Sequence, residues 1–143
     1  MDGMTLIEIL VALVVISVGL LGVAALQVVS LRSSQGSYLR TQATALAGDI
    51  IDRMRGNRTV ALAPSYAYNI AFGQTIVLTA GSSQADRDRA EWKSSLLADL
   101  PKTQDGDVAD GKIEVVGTIV TVTIRWGERD ASDPIEFVTQ TEI

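Results

Sequence analysis

The feature that most constrains this chain is the run Ile9–Leu31, 23 residues without one charged side chain. As a helix rising about 1.5 Å per residue it is roughly 34 Å long, close to the roughly 30 Å hydrocarbon thickness of a bilayer. Its apolar residues circle the whole helix instead of drawing one stripe, which suits lipid or a bundle of similar helices. A cleaved secretory signal fits poorly, because such a signal has a basic leader and an apolar core of only about 7–15 residues. A buried core helix fits worse still in a chain of 143 residues, which has room for one folded head and no second core.

Past Leu31 the composition is that of an ordinary soluble domain, with a skewed charge. The chain carries a formal charge of -5, and residues 61–143 hold seven bases against thirteen acids. An acidic head is a poor direct partner for nucleic acid. Cysteine and histidine are both absent. Their absence removes disulfides, thiolate nucleophiles, the usual zinc and haem ligands and the commonest general base. The rule that Lys and Arg stay cytoplasmic would put the Arg32 and Arg40 side inside, because nothing basic precedes the run. A longer, basic leader upstream of Met1 would reverse that orientation, and such a leader is expected.

Glu8 stands just before the apolar run, preceded by Gly3-Met-Thr-Leu-Ile7. A carboxylate costs about 2.5–3.5 kcal/mol at mid-bilayer and less near the headgroups, so it calls for a partner. One option is a glutamate that merely faces headgroups. The hexapeptide GMTLIE followed by a long apolar run resembles, instead, the class III signal of type IV pilins and the related pseudopilins. The resemblance implies that a membrane prepilin peptidase cuts between Gly3 and Met4 and methylates the new amino terminus at Met4. Phenylalanine is the usual residue after that cut, so Met4 departs from the pattern. Glu8 then lies four residues beyond the new terminus. Among staggered apolar helices the carboxylate of one subunit can meet the ammonium terminus of its neighbour. A slip in register would leave both charges unpaired at about 3–5 kcal/mol, which makes Glu8 a register pin. Gly19 and Gly22 sit mid-run at a small-residue spacing. They serve close helix approach, local loss of helicity in a filament as the resemblance implies, or nothing beyond the tolerance of membrane helices for glycine.

Beyond Leu31 the helical period persists. Leu39, Ala43, Leu46, Ala47, Ile50, Ile51 and Met54 draw one apolar stripe, Asp49 and Arg53 pair at i,i+4, and Gly56-Asn57 is a helix stop. The spacing predicts one continuous helix of some fifty residues, with Gly36 and Gly48 as candidate kinks. ALAGDIIDRMRGNR at 45–58, together with GLLGVAALQ at 19–27, resembles the PilV-type minor pilins. Residues 66–72 and 74–79 read as extended pieces around Gly73. Residues 82–100 read as a second helix with a Ser cap and Trp92, Leu96, Leu97 and Leu100 on one face. Lys112–Val116, Thr118–Trp126 and Ile135–Thr141 read as strands, the second with Val120, Val122, Ile124 and Trp126 on one side, and Asp130–Pro134 as a turn. The expected fold is α+β and pilin-like: a leader at 1–3, an apolar span at 4–31 and a head at 32–143, whose helix continues over 32–56 before an antiparallel sheet and a short helix over 57–143.

Chemistry is sparse. Asp105, Asp107 and Asp110 gather carboxylates that can hold Ca²⁺, yet the position for a closing EF-hand Glu is Val116, so a solvated turn is the better reading. The patch 86–91 reads as a solvated helix start, and Asn57-Arg58-Thr59 as a chance sequon. Nothing forms a recognisable catalytic set, and no cofactor is expected. The resemblance implies a minor pilin, a structural subunit that primes or modulates type IV pilus assembly. Its partners would be other minor and major pilins, prepilin peptidase and the inner-membrane assembly platform. The head would be periplasmic before assembly and at the cell surface within a pilus after it. A minor pseudopilin of type II secretion and a bitopic membrane adaptor that never polymerises are the competing readings, and residues 45–58 favour the pilus.

Overall fold

A computed structural model describes residues 5–102, 108–128 and 133–143. The chain divides into two units, residues 1–38 and 39–143. Helix α1, Leu6–Gly56, contributes to both and runs unbroken through the two candidate kinks at Gly36 and Gly48.

In the first unit α1 is the only described element, and every residue from Thr5 to Gln35 is exposed. By length and composition this helix can cross a membrane.

In the second unit the period of α1 decides what is buried. Ala43, Leu46, Ala47, Ile50, Ile51 and Met54 are all buried and Leu39 is partly so, which is the stripe that the sequence spacing draws. The helix stops at Gly56, and a single turn that the sequence did not signal, α2 (Arg58–Ala61), comes at once after it. Helix α3, Gln84–Asp99, opens with a reciprocal capping box. Asp86 N–H donates to Ser83 Oγ at 3.2 Å, and Ser83 N–H donates back to Asp86 Oδ2 at 2.9 Å. Leu100 takes an extended backbone and Pro101 comes next, which ends the helix. Trp92 and Leu96 are buried, but Leu97 is 53% exposed. Five residues at about 100° each carry Leu97 some 140° round from Trp92, off the face toward the core.

Three strands form an antiparallel meander in the order β1-β2-β3: β1 Asp110–Val116, β2 Ile119–Trp126 and β3 Ile135–Glu142. Val116 pairs with Ile119, so Gly117 and Thr118 make a two-residue turn, and Gly117 supplies its positive φ of 62°. Ile113, Val115, Val120, Val122, Ile124 and Trp126 face inward and join the helical stripe in one core. The indole of Trp92 ties the helices together by donating to Leu46 O at 3.0 Å.

The extended pieces expected at 66–72 and 74–79 are not strands. This stretch is turns and coil, and its one ladder contact is the bridge between Ile70 and Ile113. The expected turn at 130–134 lies mostly outside the described residues, with Asp133 and Pro134 leading into β3.

Candidate functional site

The amino-terminal end of α1 is built on Thr5, whose carbonyl accepts from Glu8 N–H at 3.1 Å and Ile9 N–H at 3.3 Å. Glu8 therefore sits in the first helical turn and is exposed. There the positive end of the helix dipole favours a carboxylate by about 0.3–1 kcal/mol. Gly3 and Met4 lie outside the described residues. Farther along, a Cβ added to Gly19 or Gly22 would meet nothing within 4 Å. The fold of a single chain thus makes no steric demand for glycine at either place. Ser17 Oγ donates to Leu13 O at 2.7 Å, which satisfies the hydroxyl inside its own helix and lets it enter an apolar medium.

In the head, the acidic candidates separate. Asp105 and Asp107 lie outside the described residues, whereas Asp110 opens β1 as a buried carboxylate. It accepts from Gly73 N–H at 2.5 Å and from Gly111 N–H at 2.7 Å, pairs with the Lys93 ammonium, and has Arg125 Nη2 at 4.0 Å. Arg125 also stacks its guanidinium 4.4 Å from the centre of the Phe72 ring. Burial pushes the Lys93 ammonium down from its ordinary value, while Asp110 pulls it back up. These contacts tie the 71–74 loop to α3 and β1, beside a cleft of about 260 Å³ lined by Ile76, Lys93, Leu97 and Val108. Among the described residues, no three His, Cys, Asp or Glu side chains are grouped to hold a metal ion.

A second polar cluster is, apart from its Asp49–Arg53 pair, invisible in the sequence. Tyr68 is fully buried and its hydroxyl donates to Asp88 Oδ2 at 2.5 Å. Asp88 also accepts from Gln84 Nε2 at 2.8 Å and has Arg53 Nη1 at 3.6 Å. Arg53 holds Asp49 at 3.0 Å, the pair expected from their spacing, and reaches Glu91 at 2.6 Å. Asn57 Nδ2 donates to the Tyr68 hydroxyl at 3.3 Å. The patch 86–91 is therefore not simply solvated, since buried Asp88 anchors the Tyr68 hydroxyl and Glu91 accepts from Arg53 of α1.

Neither cluster presents a nucleophile with a positioned base, so both read as ties within the head. The segment with a function to explain is the exposed apolar helix with one carboxylate in its first turn. Residues 2–24 match the model of the prokaryotic N-terminal methylation motif. Over these residues the chain is similar to type IV prepilin-like proteins, whose family is structural and not enzymatic. No curated protein and no solved structure matches the chain.

Proposed function

We propose that the chain is a minor pilin, a subunit that is processed at its amino terminus, held in the membrane by α1 and drawn into a type IV pilus, where it primes or modulates assembly. The observation that carries this reading is the methylation motif over residues 2–24, continuous with an exposed apolar helix. Cleavage after Gly3 frees an ammonium at Met4, which is methylated. The Glu8 carboxylate of one subunit pairs with the terminal ammonium of another inside the apolar bundle and sets their axial register. The partners on this reading are other minor and major pilins, with prepilin peptidase and the inner-membrane assembly platform acting on the chain in turn. The head lies in the periplasm until assembly carries it to the cell surface. Residues 19–27 and 45–58 resemble those of PilV-type minor pilins, which supports the pilus over a secretion system.

The test is the amino-terminal peptide of the membrane-bound protein together with a Glu8→Ala variant. The mature chain is expected to begin at N-methylated Met4. Glu8→Ala is expected to stay in the membrane while its copurification with other pilins falls about tenfold or more, as loss of a buried ion-pair partner dictates. A mature protein that still begins at Met1 and a Glu8→Ala variant that keeps all its partners would together defeat the proposal.

A further inference from the structure

Residues 69–71 form a strap along the outer edge of β1, and every backbone polar group in it has a partner. Ile70 N–H donates to Ile113 O at 3.1 Å, and Ile113 N–H donates back to Ile70 O at 2.9 Å. Asn69 N–H donates to Tyr66 O at 2.8 Å, and Ala71 N–H donates to Gln74 Oε1 at 3.1 Å. Two carbonyls remain, Asn69 O and Ala71 O. In a wider sheet a further strand would serve them; here two cations of α3 do. Arg89 Nη1 donates to Asn69 O at 2.7 Å, and Lys93 Nζ donates to Ala71 O at 3.2 Å.

The spacing explains the fit. Residues four apart on a helix share a face and lie about 6 Å apart along its axis, close to the roughly 6.6 Å between carbonyls two residues apart on an extended chain. A carboxylate holds each cation: Asp86 meets Arg89 Nη2 at 2.5 Å, and Asp110 of β1 meets the Lys93 ammonium. Both cationic side chains are only 13% exposed.

Under the strap lie the amides of β1 that point away from β2. Ile70 O covers Ile113 N–H, and Asn69 Oδ1 covers Val115 N–H at 2.8 Å. Gly111 N–H is taken by the Asp110 carboxylate at 2.7 Å. Left open, such a row is a template for an added strand. A single bridge does not hold a three-residue segment by itself, because ordering each residue costs about what a net hydrogen bond returns. We infer that residues 69–71 are a latched strap: Arg89 and Lys93 grip its carbonyls, it opens as a unit when they let go, and while closed it denies the β1 edge to an added strand. The inference does not depend on the function proposed above.

Hydrogen exchange of single amides in the full chain, followed by nuclear magnetic resonance in detergent micelles, tests the latch. Ile113 and Val115 report on the strap, whereas Lys112 and Glu114, whose amides face β2, report on the sheet. Arg89→Met removes a charge-assisted bond and is expected to speed exchange at Ile113 and Val115 by about tenfold or more, with Lys112 and Glu114 moving by less than about threefold. Lys93→Met is combined with Asp110→Asn, so that no carboxylate is left buried alone, and is expected to do the same. The wild-type chain gives a check that no variant can spoil by misfolding. At low denaturant, exchange at Ile113 and Val115 is expected to be nearly independent of denaturant, because a local opening exposes little surface, while Lys112 and Glu114 respond steeply. Unchanged rates at Ile113 and Val115 in both variants, a rise shared equally by Lys112 and Glu114, or one denaturant slope for all four wild-type amides would each overturn the latch.

Discussion

Gly111 shows how much a single residue decides in the head. It lies in β1 where α3 crosses closest, and a Cβ there would sit 2.3 Å from Trp92 Cη2 and 2.7 Å from Leu96 Cδ1. Trp92 cannot retreat easily, because its indole is buried and hydrogen-bonded to Leu46 O. Gly111→Ala is therefore expected to cost about 1–3 kcal/mol, the usual range for overpacking. Thermal unfolding of the full chain in detergent, followed by near-ultraviolet circular dichroism of the tryptophans, should show a midpoint lower by several degrees. An unchanged midpoint would mean that α3 does not lie against β1 as described. No sequence pattern marks Gly111, which reads as one more glycine beside an acidic turn. Its importance comes from a helix side chain distant in sequence. Glu8 is the opposite case, legible at once because a charge beside an apolar run is anomalous on its own terms.

At the scale of elements, the legible features are periodic and the hidden ones are pairwise. The stripe of α1, the cap of α3 and the alternation of β2 all come from local spacing. Leu97 reads as part of the buried face because it sits next to Leu96 in sequence, yet it lies off that face. Residues 66–72 and 74–79 read as extended pieces around Gly73, but Asn69 and Ile70 spend their polar groups plugging β1, and the rest of the stretch finds no ladder. The seam between α1 and α3 is pairwise in the same way, and it makes a prediction about pH. Burial, then the hydrogen bond to Asp88, pushes the Tyr68 phenol up to about 12 from an ordinary value of about 10. Because the folded value is the higher one, the folded chain keeps a proton that the unfolded chain releases. The contribution is fully present below pH 10 and is lost as pH rises through 12, on the order of 2 kcal/mol in all. Lys93 runs the other way, since its depressed folded value adds stability as pH climbs toward about 10.5. Comparing wild type with Tyr68→Phe cancels the Lys93 contribution. Tyr68→Phe is expected to be about 1–2 kcal/mol less stable at pH 8, where Asp88 loses a donor, and the gap should close above pH 10. A gap that stays constant from pH 8 to 11.5 would show that the phenol does not carry the alkaline dependence.

For the whole molecule, the division into two units separates what folds the head from what holds the chain in a membrane. Every buried core residue lies at Ala43 or beyond, and residues 39–143 form a unit of their own. The large exposed apolar side chains of α1, by contrast, all lie at Leu31 or before, apart from Tyr38. A fragment spanning residues 32–143 keeps the whole stripe of α1, both polar ties and the sheet, and sheds only apolar surface that the core does not use. It is expected to be soluble without detergent, as its acidic charge favours, and to unfold in one cooperative transition. Its stability should lie within about 0.5 kcal/mol of the head in the full chain, because every described residue that the truncation removes is exposed. The first turns, near residues 32–38, should fray, since a short helical stretch with nothing packed on it is marginal in water. Chemical denaturation of the fragment read by tryptophan fluorescence decides the matter. A fragment that aggregates without detergent, or that melts gradually, would mean that the apolar half of α1 takes part in folding the head. The apolar half of α1 would then be more than a candidate membrane span, and sequence changes between Ile9 and Leu31 would alter the stability of the core.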